Sequence, residues 1–191
     1  MHMMAEEPLL PALEFGDGRL RLRPWREDDA GDLHDAVRES MASVGRWQPW
    51  CHADYGLDDA AAWIEHCRQG WRSGAQYSLA ICDAGCGELR GGIGLNQINR
   101  SHRNANMGYW VRQSQQGQGL AAEAGVLLAR FAFERLGLIR IEIVAEPGNL
   151  PSRRVAEKTG ARFEAIARQR LWVHDQARDA AIYTLLPQDL P

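Results

Sequence analysis

The passage from Ala105 to Phe131 constrains the fold of this chain more than any other. A strand-like run, Ala105 to Val111, breaks into the polar stretch Arg112-Gln113-Ser114-Gln115-Gln116-Gly117-Gln118-Gly119, and a helix follows at once. Leu120, Ala124, Leu127, Leu128 and Phe131 recur at helical spacing, with Arg135 the one member of the series off the apolar stripe. A helix with one apolar face, fed by a strand, has to lay that face on a sheet. Two further strand-like runs, Tyr77 to Cys82 and Leu89 to Gln97, precede it across Gly, Asp, Asn and Ser turns, which predicts an antiparallel meander. In the middle run, Gly91, Gly92 and Gly94 mark a bulge or a close backbone approach.

The rest of the chain completes the layout. Arg19 to Arg23 alternates with period two and stops at Pro24; Asp28 and Asp29 offer N-caps for a helix through Leu33, Ala36 and Val37. Val44 to Trp50 has no period and reads as an aromatic loop, after which Trp63, Ile64, Cys67 and Trp71 predict a second helix beginning near Asp58 and Asp59. Downstream, Ile139 to Ala145 alternates as a strand, and Asn149 caps a short helix with Pro151 in its first turn and Gly160 after its last. Two final strands, about 162–173 and 179–186, join at His174-Asp175-Gln176. The expectation is an α+β fold with a parallel crossover in its second half.

Composition narrows the classes of partner. The chain of 191 residues, 45% hydrophobic and 25% charged, suits one domain over 1–191, with 1–16 as a loosely ordered N-terminal extension. The formal net charge of −3 and the lack of a dense Lys/Arg run argue against nucleic acid and anionic membrane surfaces. No stretch approaches the roughly 20 apolar residues of a membrane span, and the start has no signal-peptide core, so a cytoplasmic location is expected. Cys51, Cys67, Cys82 and Cys86 lack paired Cys-x-x-Cys spacing. They read as free thiols, with a turn between Cys82 and Cys86 and no metal site.

The glycine loop carries the chemistry. Successive N–H groups in such a loop, at the positive end of a helix dipole, form an anion site that fits a pyrophosphate, although a tight strand-to-helix turn would use the same glycines. The loop lacks the Gly-Lys-Ser/Thr of a nucleoside-triphosphate site and the three-glycine dinucleotide pattern, which disfavours ATP and NAD.

Here a family resemblance becomes specific. Gln116-Gly117-Gln118-Gly119-Leu120-Ala121 resembles the acetyl-CoA pyrophosphate loop of GNAT N-acetyltransferases, Gln/Arg-x-x-Gly-x-Gly/Ala, with Gln116, Gly119 and Ala121 at its fixed positions. Met107 to Val111 resembles the preceding strand of the RimJ/RimL branch, and Asn149 to Gly160 that branch's Asn-x-x-Ser-x-x-Val-x-Glu-Lys-x-Gly pattern. The match runs from about 19 to 186, in order.

The resemblance implies a GNAT fold: a central mixed, mostly antiparallel sheet of about seven strands, splayed between the strands at 105–112 and 139–145, with helices on both faces. It implies a transferase that moves the acetyl group of acetyl-CoA to a primary amine by direct attack on the thioester, the amine being a protein or peptide N-terminus or a small molecule. Acetyl-CoA is then a co-substrate, no metal is needed, and a homodimer is expected by analogy. Tyr109, Trp110, Val111 and Arg112, the loop from Gln116 to Ala121, and Asn149 and Ser152 would bind the cofactor. Ser152 is the candidate proton donor to the departing thiolate, with Asn149 beside it. A first-turn hydroxyl and a helix cap are their structural alternatives. Trp47, Trp50, Tyr55 and Trp172, near Pro49, Leu171 and His174, would enclose the acceptor unless they simply pack; indole faces suit a cation.

One departure stands out. Family members often carry a glutamate base two residues before the glycine of the Gly-Tyr-Trp strand, and this chain has Asn106 there. His102, His174, Glu142 and Tyr109 are substitutes by residue type alone. The rival reading from another class is a non-catalytic acyl-CoA-binding protein that has lost its base.

Overall fold

The computed structural model describes residues 14–191. One mixed sheet of eight strands has the order β1-β2-β3-β4-β5-β6-β8-β7. In chain order the elements are β1 (Phe15–Gly16), β2 (Leu20–Pro24), α1 (Ala30–Glu39), α2 (Leu57–Ser73), β3 (Tyr77–Asp83), β4 (Leu89–Asn99) and β5 (Asn104–Val111). Then follow α3 (Leu120–Glu134), β6 (Arg140–Ala145), α4 (Leu150–Lys158), β7 (Arg162–Val173) and β8 (Gln176–Leu185). The strand beyond the seven expected is β1, whose Phe15 and Gly16 pair with Leu22 and Arg21. Of the extension expected over 1–16, residues 1–13 lie outside the described residues.

Local chemistry explains the boundaries. The first helix begins through Asp29, which acts from the third position of a short turn: its carboxylate accepts the Arg26 N–H at 2.8 Å and holds both Arg23 Nη atoms at 2.7 Å. Likewise Asp59 reaches back to the Gly56 N–H at 2.8 Å and starts α2. Both readings of the β4 glycines hold. A Cβ on Gly91 would lie 2.2 Å from the Trp110 carbonyl oxygen, and the register with β3 slips beside Ile81 and Cys82. β8 starts at Gln176, earlier than expected, because His174 and Asp175 both adopt positive φ (49° and 55°) and close a two-residue hairpin.

Two hydrophobic clusters flank the sheet. Leu128 and Ala132 of α3 and Ala156 of α4 pack with Leu79, Met107, Ile141 and Tyr183. On the other face, Leu33 and Val37 of α1 and Ile64 and Cys67 of α2 pack with Ala80, Cys82 and Leu89. Neighbouring strands are antiparallel except β5 and β6, which run parallel for only three register pairs, Asn104↔Arg140, Ala105↔Ile141 and Asn106↔Glu142. Beyond these, β5 stays with β4 and β6 with β8, so the sheet opens into a wedge. Among the described residues no helix is long and apolar enough to cross a membrane.

Candidate active site

The loop between β5 and α3 is built to present backbone N–H groups. Gly117 and Gly119 take φ of 79° and 82°, a region that L side chains enter only with strain. The N–H groups of Gly117, Gln118, Gly119, Leu120 and Ala121 have no hydrogen-bond partner among the described residues. They gather at the positive end of α3.

The loop is braced from far away in sequence. Glu39, at the end of α1, accepts the Ser114 N–H at 2.6 Å and pairs with Arg112 at 2.7 Å. Ser40 Oγ accepts the Gln113 N–H at 3.0 Å. Gln116 donates to Ser43 Oγ at 3.1 Å and to the Val111 carbonyl at 2.9 Å. Arg19 donates to the Gln118 carbonyl at 2.9 Å and pairs with Glu123 in the first turn of α3. The side chains of Arg112 and Gln116 are thus engaged with the protein, and what they leave for a ligand is the curled backbone. Hydrogen bonds from Ser114, side chain first, with the Arg112 guanidinium, lower the Glu39 carboxyl from 4.5 to about 2.

The wedge holds a second group of donors. Because the Arg112 N–H bonds the Arg90 carbonyl at 2.8 Å, the alternation of the ladder turns the backbone N–H groups of Tyr109 and Val111 away from β4, toward the gap. Across the gap, Tyr109 Oη donates to the Ser152 carbonyl at 2.8 Å and accepts from Ser152 Oγ at 3.3 Å. Asn149 Oδ1 accepts the Ser152 N–H at 3.2 Å, so the cap at the start of α4 exists as such. Burial pushes the Tyr109 phenol well above its ordinary value and keeps it a proton donor.

A cavity of about 690 Å³ reaches this wedge, lined by Met107, Gly108 and Tyr109 of β5 and by Val144 of β6. Of the four expected acceptor residues, Trp50 and Tyr55 line it, and Trp50 sits edge-on to Trp110 with ring centroids 5.7 Å apart. Burial pushes the Tyr55 phenol up to about 12. Trp47 instead carries the Arg46 guanidinium over its ring at 4.8 Å, close to Gly148, while Trp172 stands 70% exposed at the end of β7; neither lines the cavity.

The candidate bases are also sorted by position. His102 lies in the β4–β5 turn, His174 Nε2 sits 3.1 Å from the Gly45 carbonyl in the last hairpin, and Glu142 pairs with Arg140 at 2.9 Å; none lines the cavity. Tyr109 and Asn106 do, as do His52 and His66, two ionisable groups that sequence reasoning missed because their local sequence carries no motif. The thiols are packing groups: burial pushes Cys67 up to about 12 and raises Cys51 and Cys82. Cys86 lies in the turn that the Asp83 carboxylate closes on Gly85 and Cys86 N–H, and no metal-holding cluster occurs among the described residues.

Comparison with known proteins agrees with this geometry. A family model described as Acetyltransferase (GNAT) domain matches residues 19–162. The Bacillus subtilis protein YdaF, which carries the name of a ribosomal N-acetyltransferase, is 30% identical over 174 residues, 89% of this chain and 92% of its own. A Vibrio cholerae structure named for a ribosomal-protein-serine acetyltransferase superposes with a TM-score of 0.84 at 29% identity, covering 94% of this chain and all of that one. Mycobacterium smegmatis RimJ in complex with CoA-disulfide gives 0.81 at 26% identity, over 90% of this chain and 84% of that one.

Proposed function

This chain belongs to the GNAT acetyltransferase family and is an acetyl-CoA-dependent N-acetyltransferase, and from that premise we propose that the amine it acetylates is the N-terminal α-amine of a peptide or protein. The observation that carries the reading is the wedge between β5 and β6, which opens on a cavity of about 690 Å³ lined largely by uncharged polar and aromatic side chains. In this reading the N–H groups of Gly117 to Ala121 hold the pyrophosphate of acetyl-CoA, and the backbone of Tyr109 and Val111 pairs with its pantetheine amides. Trp50 and Tyr55 wall the acceptor.

The chemistry follows from the same placement. The neutral amine attacks the thioester carbonyl carbon, a backbone N–H of β5 stabilises the oxygen as it gains charge, and the C–S bond breaks. Ser152 Oγ–H gives the departing thiolate a proton and recovers one from water, while Tyr109 Oη, which accepts from Ser152 Oγ at 3.3 Å, holds the hydroxyl in place. The amine sheds its own proton to water or to a cavity histidine.

The lining argues for a peptide rather than a polyamine. Among the described lining residues Asp59 is the one carboxylate, whereas the amides of Gln48, Gln76, Asn96, Gln97 and Asn106 suit a peptide's donors and acceptors. A cytoplasmic location goes with an acceptor of the ribosomal kind after which the relatives are named. The apolar residues Phe163, Ile166 and Trp172, exposed on the edge strand β7, support a homodimer. The test is a panel of peptides with free α-amines set against polyamines and lysine side-chain amines. Faster turnover of the α-amines is expected; turnover confined to polyamines would remove the peptide reading.

A further inference from the structure

One residue that lines the cavity carries a polar atom that the fold leaves unpaired. Asn106 Oδ1 is buried and has no hydrogen-bond partner among the described residues. Its own Nδ2 donates to Asn96 Oδ1 at 3.0 Å, and both residues line the cavity. A buried carbonyl oxygen without a partner is costly, and a fold retains one where something else supplies the donor.

The backbone around the pair is shaped to present it. Asn96 and Asn106 face each other across β4 and β5, and the register slips immediately afterwards, so that Gln97 and Ile98 oppose Ala105 alone. Gln97 takes a φ of 50° there, in the left-handed region. Such bulges re-aim side chains beside reactive sites. Asn106 is also the last residue of β5 to pair with β6, which puts it at the apex of the wedge.

The hydrogen-bonding arithmetic identifies what fits. One amide–amide hydrogen bond uses one carbonyl oxygen and one N–H, leaving a carbonyl oxygen on Asn106 and an NH₂ donor on Asn96, two residues that line the cavity. An α-amino-acyl group needs the reverse set, an acceptor for its amine and a donor for the adjacent carbonyl. Resting on the peptide-acceptor reading, we infer that Asn106 and Asn96 together receive the α-amino-acyl end of the acceptor. Asn106 Oδ1 accepts from the amine N–H and aims its lone pair at the thioester; Asn96 Nδ2 donates to the neighbouring carbonyl oxygen. Asn106 orients the amine and does not take its proton.

Alaninamide and isopropylamine, compared at equal concentrations of free amine, test this, because they differ in the carbonyl group. The wild type is expected to favour alaninamide in kcat/KM by at least about tenfold. Asn96→Leu should bring that preference close to parity, and Asn106→Leu should lower kcat/KM for both amines by about 10- to 100-fold. Asn106→Asp, which keeps an oxygen acceptor, should recover part of the loss. An unchanged KM for acetyl-CoA shows that each variant is folded, and Asn96→Ala and Asn106→Ala repeat the comparison with smaller side chains. Variants that keep wild-type rates and preference overturn the asparagine pair alone. A wild type that turns over other amines but no α-amino-acyl compound overturns the acceptor reading and this inference together.

Discussion

At the scale of single residues, two side chains separate chemistry from scaffolding. Ser152 stands across the wedge from Tyr109 and, in the proposed mechanism, protonates the leaving thiolate. Ser152→Ala is expected to lower kcat by about 10- to 100-fold, the low end of what a positioned acid contributes, with the acetyl-CoA KM little changed in steady-state thiol-release assays. Wild-type turnover would remove the role. Glu39 does the opposite kind of work, holding the loop in shape. Its folded pKa of about 2 lies below the ordinary 4.5, so its stabilisation is present above pH 4.5 and lost as the pH falls through 2. Thermal melts should therefore show the gap between wild type and Glu39→Gln closing as the pH drops across that window, and a constant gap would contradict it. These residues also mark what was legible in the sequence. Gln116, Gly119 and Ser152 sit in local patterns, but Glu39 and Ser40 reach the loop across more than seventy residues, and His52 and His66 become neighbours of the site only through α2 and the loop before it.

At the scale of elements, glycines in two places do different jobs. At Gly119 an added Cβ would meet nothing nearer than Glu123 Oε1 at 4.0 Å, so only the left-handed backbone resists it. Gly119→Ala should cost about 1 kcal/mol. Gly91→Ala drives a Cβ against the Trp110 carbonyl oxygen of the neighbouring strand and should cost about 2–3 kcal/mol. Urea unfolding of both variants checks the order; Gly119→Ala as the more damaging change would contradict it. Periodicity made most elements legible, because α3 and β5 each bury one face. The exceptions have physical causes. Two-residue β1 is too short to show a period, and β8 begins at Gln176, before the expected 179, because the hairpin read at His174 closes in only two residues, His174 and Asp175, without the glycine or asparagine that signals so tight a turn.

At the scale of the whole molecule, the parted strands β5 and β6 decide what the protein does. A sheet paired along its full length would leave neither a gap for an extended pantetheine arm nor a cavity reaching it. Binding there stabilises the folded state: acetyl-CoA at about 100 times its Kd adds about 2.7 kcal/mol. For a chain of this length that raises Tm by roughly 5–11 °C, and ATP at the same concentration should leave Tm unchanged. The general architecture was legible because the loop, the strand before it and the helix after β6 each carry a local pattern. The cavity beside the wedge was not, since it is assembled from α2, β4, β5 and β7 by tertiary packing. The most direct test is release of free CoA thiol from acetyl-CoA, followed while a peptide with a free α-amine is titrated in, with the product analysed by mass. Saturable, amine-dependent thiol release with one acetyl group on the α-nitrogen is the expected result. Tight acetyl-CoA binding with thiol release no faster in the presence of any amine would contradict it.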